Sequence, residues 1–237
     1  MYNTPRIKIT LICRACYAVL QDTQEDTRNR KIHTQRIDKT TYANISRGGT
    51  VIEKDFYGDK VIRLPDGCYI KLFRRKRLIS SALFFPYSKR FVNNAAKLKR
   101  LGVPTVTPLG LHRLPHLRRT AVHYEAVQGS TLRDLTKDIS DPRLLLESFG
   151  VFLAELHCKG IYFRSLHFGN VVLQETGEFG LIDIADLRFF GRPLSEYQRK
   201  QNFKHLSRPK EDAWILPENL KFIYSAYNQH RKFLQQK

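Results

Sequence analysis

The run Leu156-His157-Cys158-Lys159-Gly160-Ile161-Tyr162-Phe163-Arg164-Ser165-Leu166-His167-Phe168-Gly169-Asn170 decides how the rest of the chain is read. It opens as the end of a helix, because Leu145, Phe149, Phe152 and Leu156 recur at steps of four, three and four. Asp141 is placed to cap that helix, with Pro142 at its first position and Gly160 to end it. After the polar loop come two β-prone runs, Val171–Gln174 and Gly180–Ile184, around the turn Glu175-Thr176-Gly177. The second run carries Asp183 and leads to Asp186.

Toward the N-terminus the texture is that of a sheet. Thr50–Lys54 and Lys60–Leu64 are short β-prone runs joined through Asp55-Phe56-Tyr57-Gly58-Asp59. Pro65-Asp66-Gly67 is a turn signal, and Cys68–Phe73 follows as a third strand with Lys71 in its middle, completing an antiparallel meander. Phe91, Ala95, Leu98 and Leu101 then lie at helical spacing until Gly102 and Pro104 stop the run. Strands are expected around Val106–Leu111 and Thr120–Ala126, and Gly129 breaks the chain. From Leu194 to Lys237 the tail reads as helical and polar with periodic aromatics. Residues 1–46 read as an N-terminal extension whose stretch 21–41 is a loop. The layout is α+β and bilobal: a small antiparallel-sheet lobe over 47–127 and a mainly helical lobe over 128–237.

Composition bounds the partners. The 237 residues carry 41 Lys or Arg against 22 Asp or Glu, a net charge of +19, which favours polyanions: nucleic acid, anionic membrane or phosphorylated glycolipid. Four cysteines are too few and too scattered for a disulfide framework, and the lone pair Cys13 and Cys16 reads as ordinary packing. Reduced thiols in a cytoplasmic setting are the simplest reading. No stretch approaches the ~18 apolar residues that span a bilayer, so membrane contact is expected to be peripheral.

Four elements occur in a telling order: Tyr69-Ile70-Lys71-Leu72, the stretch Tyr124-Glu125-Ala126-Val127-Gln128-Gly129 running on to Leu135, the loop through Asn170, and Leu181-Ile182-Asp183-Ile184-Ala185-Asp186. In order and spacing they resemble the protein-kinase-like superfamily, closest to bacterial lipopolysaccharide core sugar kinases and the related toluene-tolerance proteins. The resemblance covers about Thr50 to Arg208. It implies that Lys71 contacts the phosphates of ATP, that Asn170 and Asp183 hold Mg²⁺ through oxygen, and that the backbone near Glu125 and Val127 meets the adenine. Each of these residues alone has a plain explanation as a surface lysine or a turn former. Their order carries the resemblance.

The departures from that pattern concern chemistry. The position of the family's catalytic aspartate is Ser165, which cannot serve as a general base at neutral pH. No acid stands at residues 90–95, where the helical partner of the strand lysine is expected, and Gly58 is alone where three glycines are usual. The resemblance therefore points to a pseudokinase that binds ATP and Mg²⁺ and acts in envelope glycolipid phosphorylation or its regulation. An active sugar kinase with a displaced base, His167 or Asp186, is the alternative.

A basic block adds a surface. Residues 67–124 hold 13 Lys or Arg and no acid. Within it Arg74, Arg75, Lys76 and Arg77 precede the apolar run 78–87, and Lys89 and Arg90 follow. Basic clusters around an apolar patch suit a headgroup boundary, so lipopolysaccharide core or another anionic glycolipid at the inner membrane is the expected partner. Nucleic acid, bound by the fold as a scaffold, is the rival polyanion.

Overall fold

A computed structural model describes residues 32–74, 86–213 and 216–236. Its architecture is α+β, with a mixed six-stranded sheet, two smaller sheets and six α-helices among the described residues. The meander expected from the sequence is present as β2 (Thr50–Asp55), β3 (Gly58–Arg63) and β4 (Tyr69–Arg74). Helix α2 (Tyr87–Arg100) follows, then β5 (Thr107–Leu114) and β6 (Arg119–Glu125). Strand β6 inserts beside β4, giving the order β5-β6-β4-β3-β2 with antiparallel neighbours.

Residues 32–46 are more than an appendage. Strand β1 (Thr34–Arg36) extends the sheet by pairing in parallel with β5, which makes the sheet mixed where an antiparallel one was expected. Helix α1 (Lys39–Ile45) follows, capped by the Asp38 carboxylate, which accepts from Thr41 N at 2.7 Å. Ile37, Tyr42 and Ile45 cover a patch of Ile62, Leu64, Ile70, Leu72, Leu114 and Ala121 on one face of the sheet. Only three apolar side chains do this work, which is why the polar stretch around them reads as a loop.

Side-chain alternation along β4 sorts the two faces. Ile70 and Leu72 point to the patch under α1, whereas Tyr69, Lys71 and Phe73 point to the other face. There the main core begins, with Phe91, Ala95 and Leu98 of α2 packed beside Val122 and Tyr124 of β6. The same core runs on without a break into the C-terminal half.

That half holds β7 (Ser130–Thr131), α3 (Leu132–Asp138), α4 (Arg143–Cys158), β8 (Ile161–Tyr162), β9 (Val171–Leu173), β10 (Phe179–Leu181), β11 (Arg188–Phe189), α5 (Glu196–Leu206) and α6 (Leu216–Gln235). Leu145, Phe149, Leu153 and Leu156 form the buried stripe of α4. The helix starts one residue later than expected, at Arg143 with Pro142 and not Asp141 in the capping position; Asp141 stands just outside, its carboxylate accepting from Arg143 N at 3.0 Å. Helix α6 packs along α4 with Ile223 and Tyr227 in the shared core. The approach is close at Gly150, where a Cβ would stand 2.5 Å from the Ile223 carbonyl oxygen. The second strand of the late hairpin ends sooner than its apolar run predicts. It stops at Leu181, and Ile184–Asp186 form a 3₁₀ turn because Asp183 adopts a left-handed backbone, φ 51° and ψ 46°.

Candidate active-site cleft

Three ties close the sheet half against the helical half. Thr105, in the link between α2 and β5, donates its hydroxyl to the Leu181 carbonyl at 2.8 Å. Leu181 N donates in return to the Pro104 carbonyl at 2.9 Å. The third tie is Asn94, buried on α2, whose Nδ2 donates to the Ile184 carbonyl at 2.7 Å and to that of Leu187 at 3.4 Å. The turn holding Asp183 is thereby pinned to the helix beside the sheet.

Lys71 projects into this junction. Its side chain is 8% exposed, and its Nζ lies 2.6 Å from Asp183 Oδ1. A buried ammonium needs a counter-charge, because its solvation is lost without one. With no acid on the facing side of α2, Asp183 supplies it. The sequence places these residues 112 positions apart, and the fold brings them into contact. The left-handed backbone at Asp183, tolerated by Asp better than by branched residues, aims the carboxylate.

The loop before β9 lies alongside. Asn170 is buried, donates Nδ2 to the Ser165 carbonyl at 2.9 Å, and accepts from Ile182 N through its own carbonyl at 3.1 Å. Its neighbour across the hairpin is thus the residue just before Asp183. Ser165 donates its hydroxyl to Asp186 Oδ2 at 2.6 Å. Burial raises the Asp186 carboxyl above its usual range; the Ser165 hydrogen bond opposes that, and the negative charge of Asp183 adds to it. Asp186 Oδ1 is buried with no hydrogen-bond partner among the described residues. A carboxylate with one oxygen on a serine and the other unsatisfied is equipped to accept a proton.

His167 is placed elsewhere. Its Nδ1 lies 3.4 Å from Arg133 Nη2, and burial followed by the Arg133 charge lowers its pKa. Arg133 belongs to a clamp around Asp212, which is 1% exposed. Asp212 accepts from Arg133 Nε at 2.6 Å, Arg133 Nη2 at 3.2 Å and Phe168 N at 3.1 Å, anchoring the loop to the C-terminal segment. Of the two side chains considered as replacement bases, Asp186 meets Ser165 and His167 joins this anchor. Asn94, Arg133 and Asp212 were missed in the sequence. Asn94 had a signal, a polar residue inside the stripe Phe91-Ala95-Leu98, whereas nothing around Asp212 distinguishes it from a surface acid.

The link after β6 borders the same junction. Glu125 is exposed and Val127 half-buried, its Cγ1 so near Gly180 that a Cβ there would stand 2.8 Å away. Tyr69 and Tyr124 stack at 5.7 Å between centroids on the face of the sheet that carries Lys71. Burial raises the Tyr124 phenol above its usual pKa, so it stays protonated.

The basic block is only partly described. Arg74 ends β4 with its guanidinium 3.4 Å over the Tyr57 ring and its Nε 3.9 Å from Asp55, turned toward the β2–β3 hairpin. Phe56 at that hairpin tip is 96% exposed. Lys89 is exposed on the first turn of α2, and Arg90 sits 5.4 Å over the Tyr87 ring. Arg75, Lys76 and Arg77 lie outside the described residues, as do Cys13 and Cys16. No described helix is long and apolar enough to cross a membrane.

No protein-family model matches the chain, and no curated protein matches it.

Proposed function

We infer that this chain is a kinase-like protein that binds ATP and Mg²⁺ between its sheet and helical halves. In this reading it acts in envelope glycolipid phosphorylation or its regulation, at the cytoplasmic side of the inner membrane. The observation that carries the reading is the Lys71–Asp183 contact at 2.6 Å, a cation on the sheet and a carboxylate on the helical half meeting beside Asn170. A triphosphate with its cation replaces that contact in kind: phosphate oxygens take Lys71, and the metal takes Asp183 and the Asn170 side chain. The Tyr69–Tyr124 pair and the backbone at Glu125 and Val127 border the place for the base. Because residue 165 is a serine, the protein is read as a pseudokinase whose nucleotide sets the closure of the two halves.

The Ser165–Asp186 hydrogen bond favours a second reading. Asp186 accepts a proton relayed through Ser165, or directly from a sugar hydroxyl, and the protein is an active sugar kinase with a displaced base.

One set of measurements separates these. ATP is expected to raise the melting temperature only with Mg²⁺ present. Asp183→Asn is expected to lower the starting stability, since it leaves Lys71 buried without its partner, and to abolish the Mg²⁺-dependent shift. A full shift in that variant, or none in the wild type, rejects the nucleotide site. Transfer of labelled phosphate to dephosphorylated core oligosaccharide, lost in Asp186→Asn, decides for the active enzyme.

A further inference from the structure

A different group of side chains sits on the opposite face of the sheet. Asp66 and Cys68 belong to the β3–β4 turn, and His123 lies on β6. Ile70 pairs directly with His123, so Cys68, two residues earlier on the same face, is the diagonal neighbour of that histidine. Asp66 bends back over the turn, its Oδ1 accepting from Cys68 N at 2.9 Å. One ligand atom each from Asp66, Cys68 and His123 lies within 4.8 Å of the others.

We propose that Asp66, Cys68 and His123 form a binding site for a divalent transition metal of the zinc type. The donors are a sulfur, an imidazole nitrogen and a carboxylate oxygen, the mixed set that such borderline cations take and that Mg²⁺ or Ca²⁺ does not. Charge balances in the bound state, with a thiolate and a carboxylate against a dication. A second observation points the same way: His123 Nε2 is buried and has no hydrogen-bond partner among the described residues, and the same holds for Nδ1 of neighbouring His112. Buried imidazole nitrogens are ordinarily satisfied, and a metal ion or its bound water satisfies one here. Three protein ligands leave the fourth tetrahedral position to water. Binding releases the Cys68 thiol proton to solvent as the sulfur–metal bond forms.

The site would brace two strands that lead to the cleft. Lys71 stands three residues beyond Cys68, and Glu125 two residues beyond His123. It does not depend on the nucleotide reading.

The test uses the full chain carrying Cys13→Ser and Cys16→Ser, which removes the one closely spaced pair of thiols in the sequence. Titration with Co²⁺ is expected to give one equivalent of sulfur-to-metal charge-transfer absorption and the strong visible bands of tetrahedral cobalt, both displaced by Zn²⁺. Cys68→Ser is expected to abolish the charge-transfer band, and His123→Asn and the exposed-site change Asp66→Asn to weaken binding at least tenfold. Circular dichroism checks that each variant is folded. No thiolate–cobalt band in the parent chain overturns the proposal, as does a band that survives Cys68→Ser or affinity unchanged in both Asp66→Asn and His123→Asn.

Discussion

Replacing His157 with asparagine is expected to flatten the acid side of the stability curve. His157 stands in the last turn of α4 and is 2% exposed. Its Nε2–H donates to Asn202 Oδ1 at 3.1 Å, and its Nδ1 accepts from the Tyr227 hydroxyl at 2.9 Å, so the neutral ring satisfies both neighbours. Asn202 in turn brackets Phe163, accepting from its N at 3.3 Å and donating to its carbonyl at 2.5 Å. The histidine thus holds the start of the loop that carries Ser165. Burial pulls its pKa from 6.5 down to about 4, with the Asn202 hydrogen bond opposing. A folded-state pKa below the unfolded value means that the unfolded chain takes the proton first. The stability is fully present above pH 6.5 and is lost as pH falls through about 4. At ~1.36 kcal/mol for each pKa unit, the linkage removes about 2 kcal/mol by pH 5 and about 3 kcal/mol by pH 4. Asparagine does not titrate, so the variant starts less stable but loses less on acidification. Urea unfolding followed by circular dichroism at pH 7.5, 5 and 4 reads the difference between the two proteins. The lowered pKa values of His112, His167 and His205 act in both proteins and cancel. A wild-type advantage that is the same at all three pH values would falsify the reasoning, as would an NMR titration placing the His157 midpoint near 6.5.

Asp212→Ala removes the anchor of the polar loop and strands both Arg133 and Phe168 N. Urea unfolding is expected to show a loss of about 3–5 kcal/mol, the usual cost of breaking a buried ion pair from one side, and a loss below about 1 kcal/mol would deny the clamp its role. On anionic vesicles, replacing Arg74, Arg75, Lys76 and Arg77 by serine is expected to weaken binding by several kcal/mol at low salt, at roughly 1 kcal/mol for each Lys or Arg near an anionic surface. Arg74, stacked on Tyr57 and near Asp55, is expected to contribute less than that full amount. Co-sedimentation measures it, and unchanged binding would move the contact away from this block.

The hydrophobic periods by themselves determined the meander of β2 to β4, the helices α2 and α4 with their stop signals, and the late hairpin. Those features are local: side chains three, four or two positions apart state which face must be buried, and glycines with prolines state where a run ends. The polar loop and Asp183 were legible for the same reason, as unusual residues between well-marked elements. What the tertiary structure decided is which distant groups meet. That Lys71 finds Asp183, that Asp186 and not His167 holds Ser165, and that Asn94 ties α2 to the turn at Ile184 all depend on the closure of two halves. Strand Thr34–Arg36 joins the sheet, and helix Lys39–Ile45 settles on its face, where Leu114, Ala121 and Ile70 leave an apolar patch for Tyr42 and Ile45 to cover. Asp66, Cys68 and His123 likewise meet through strand register, which places Ile70 opposite His123. A sequence lists its charges and thiols in order along one dimension. Their energies depend on burial and on partners many residues away, and both are fixed only when the chain packs.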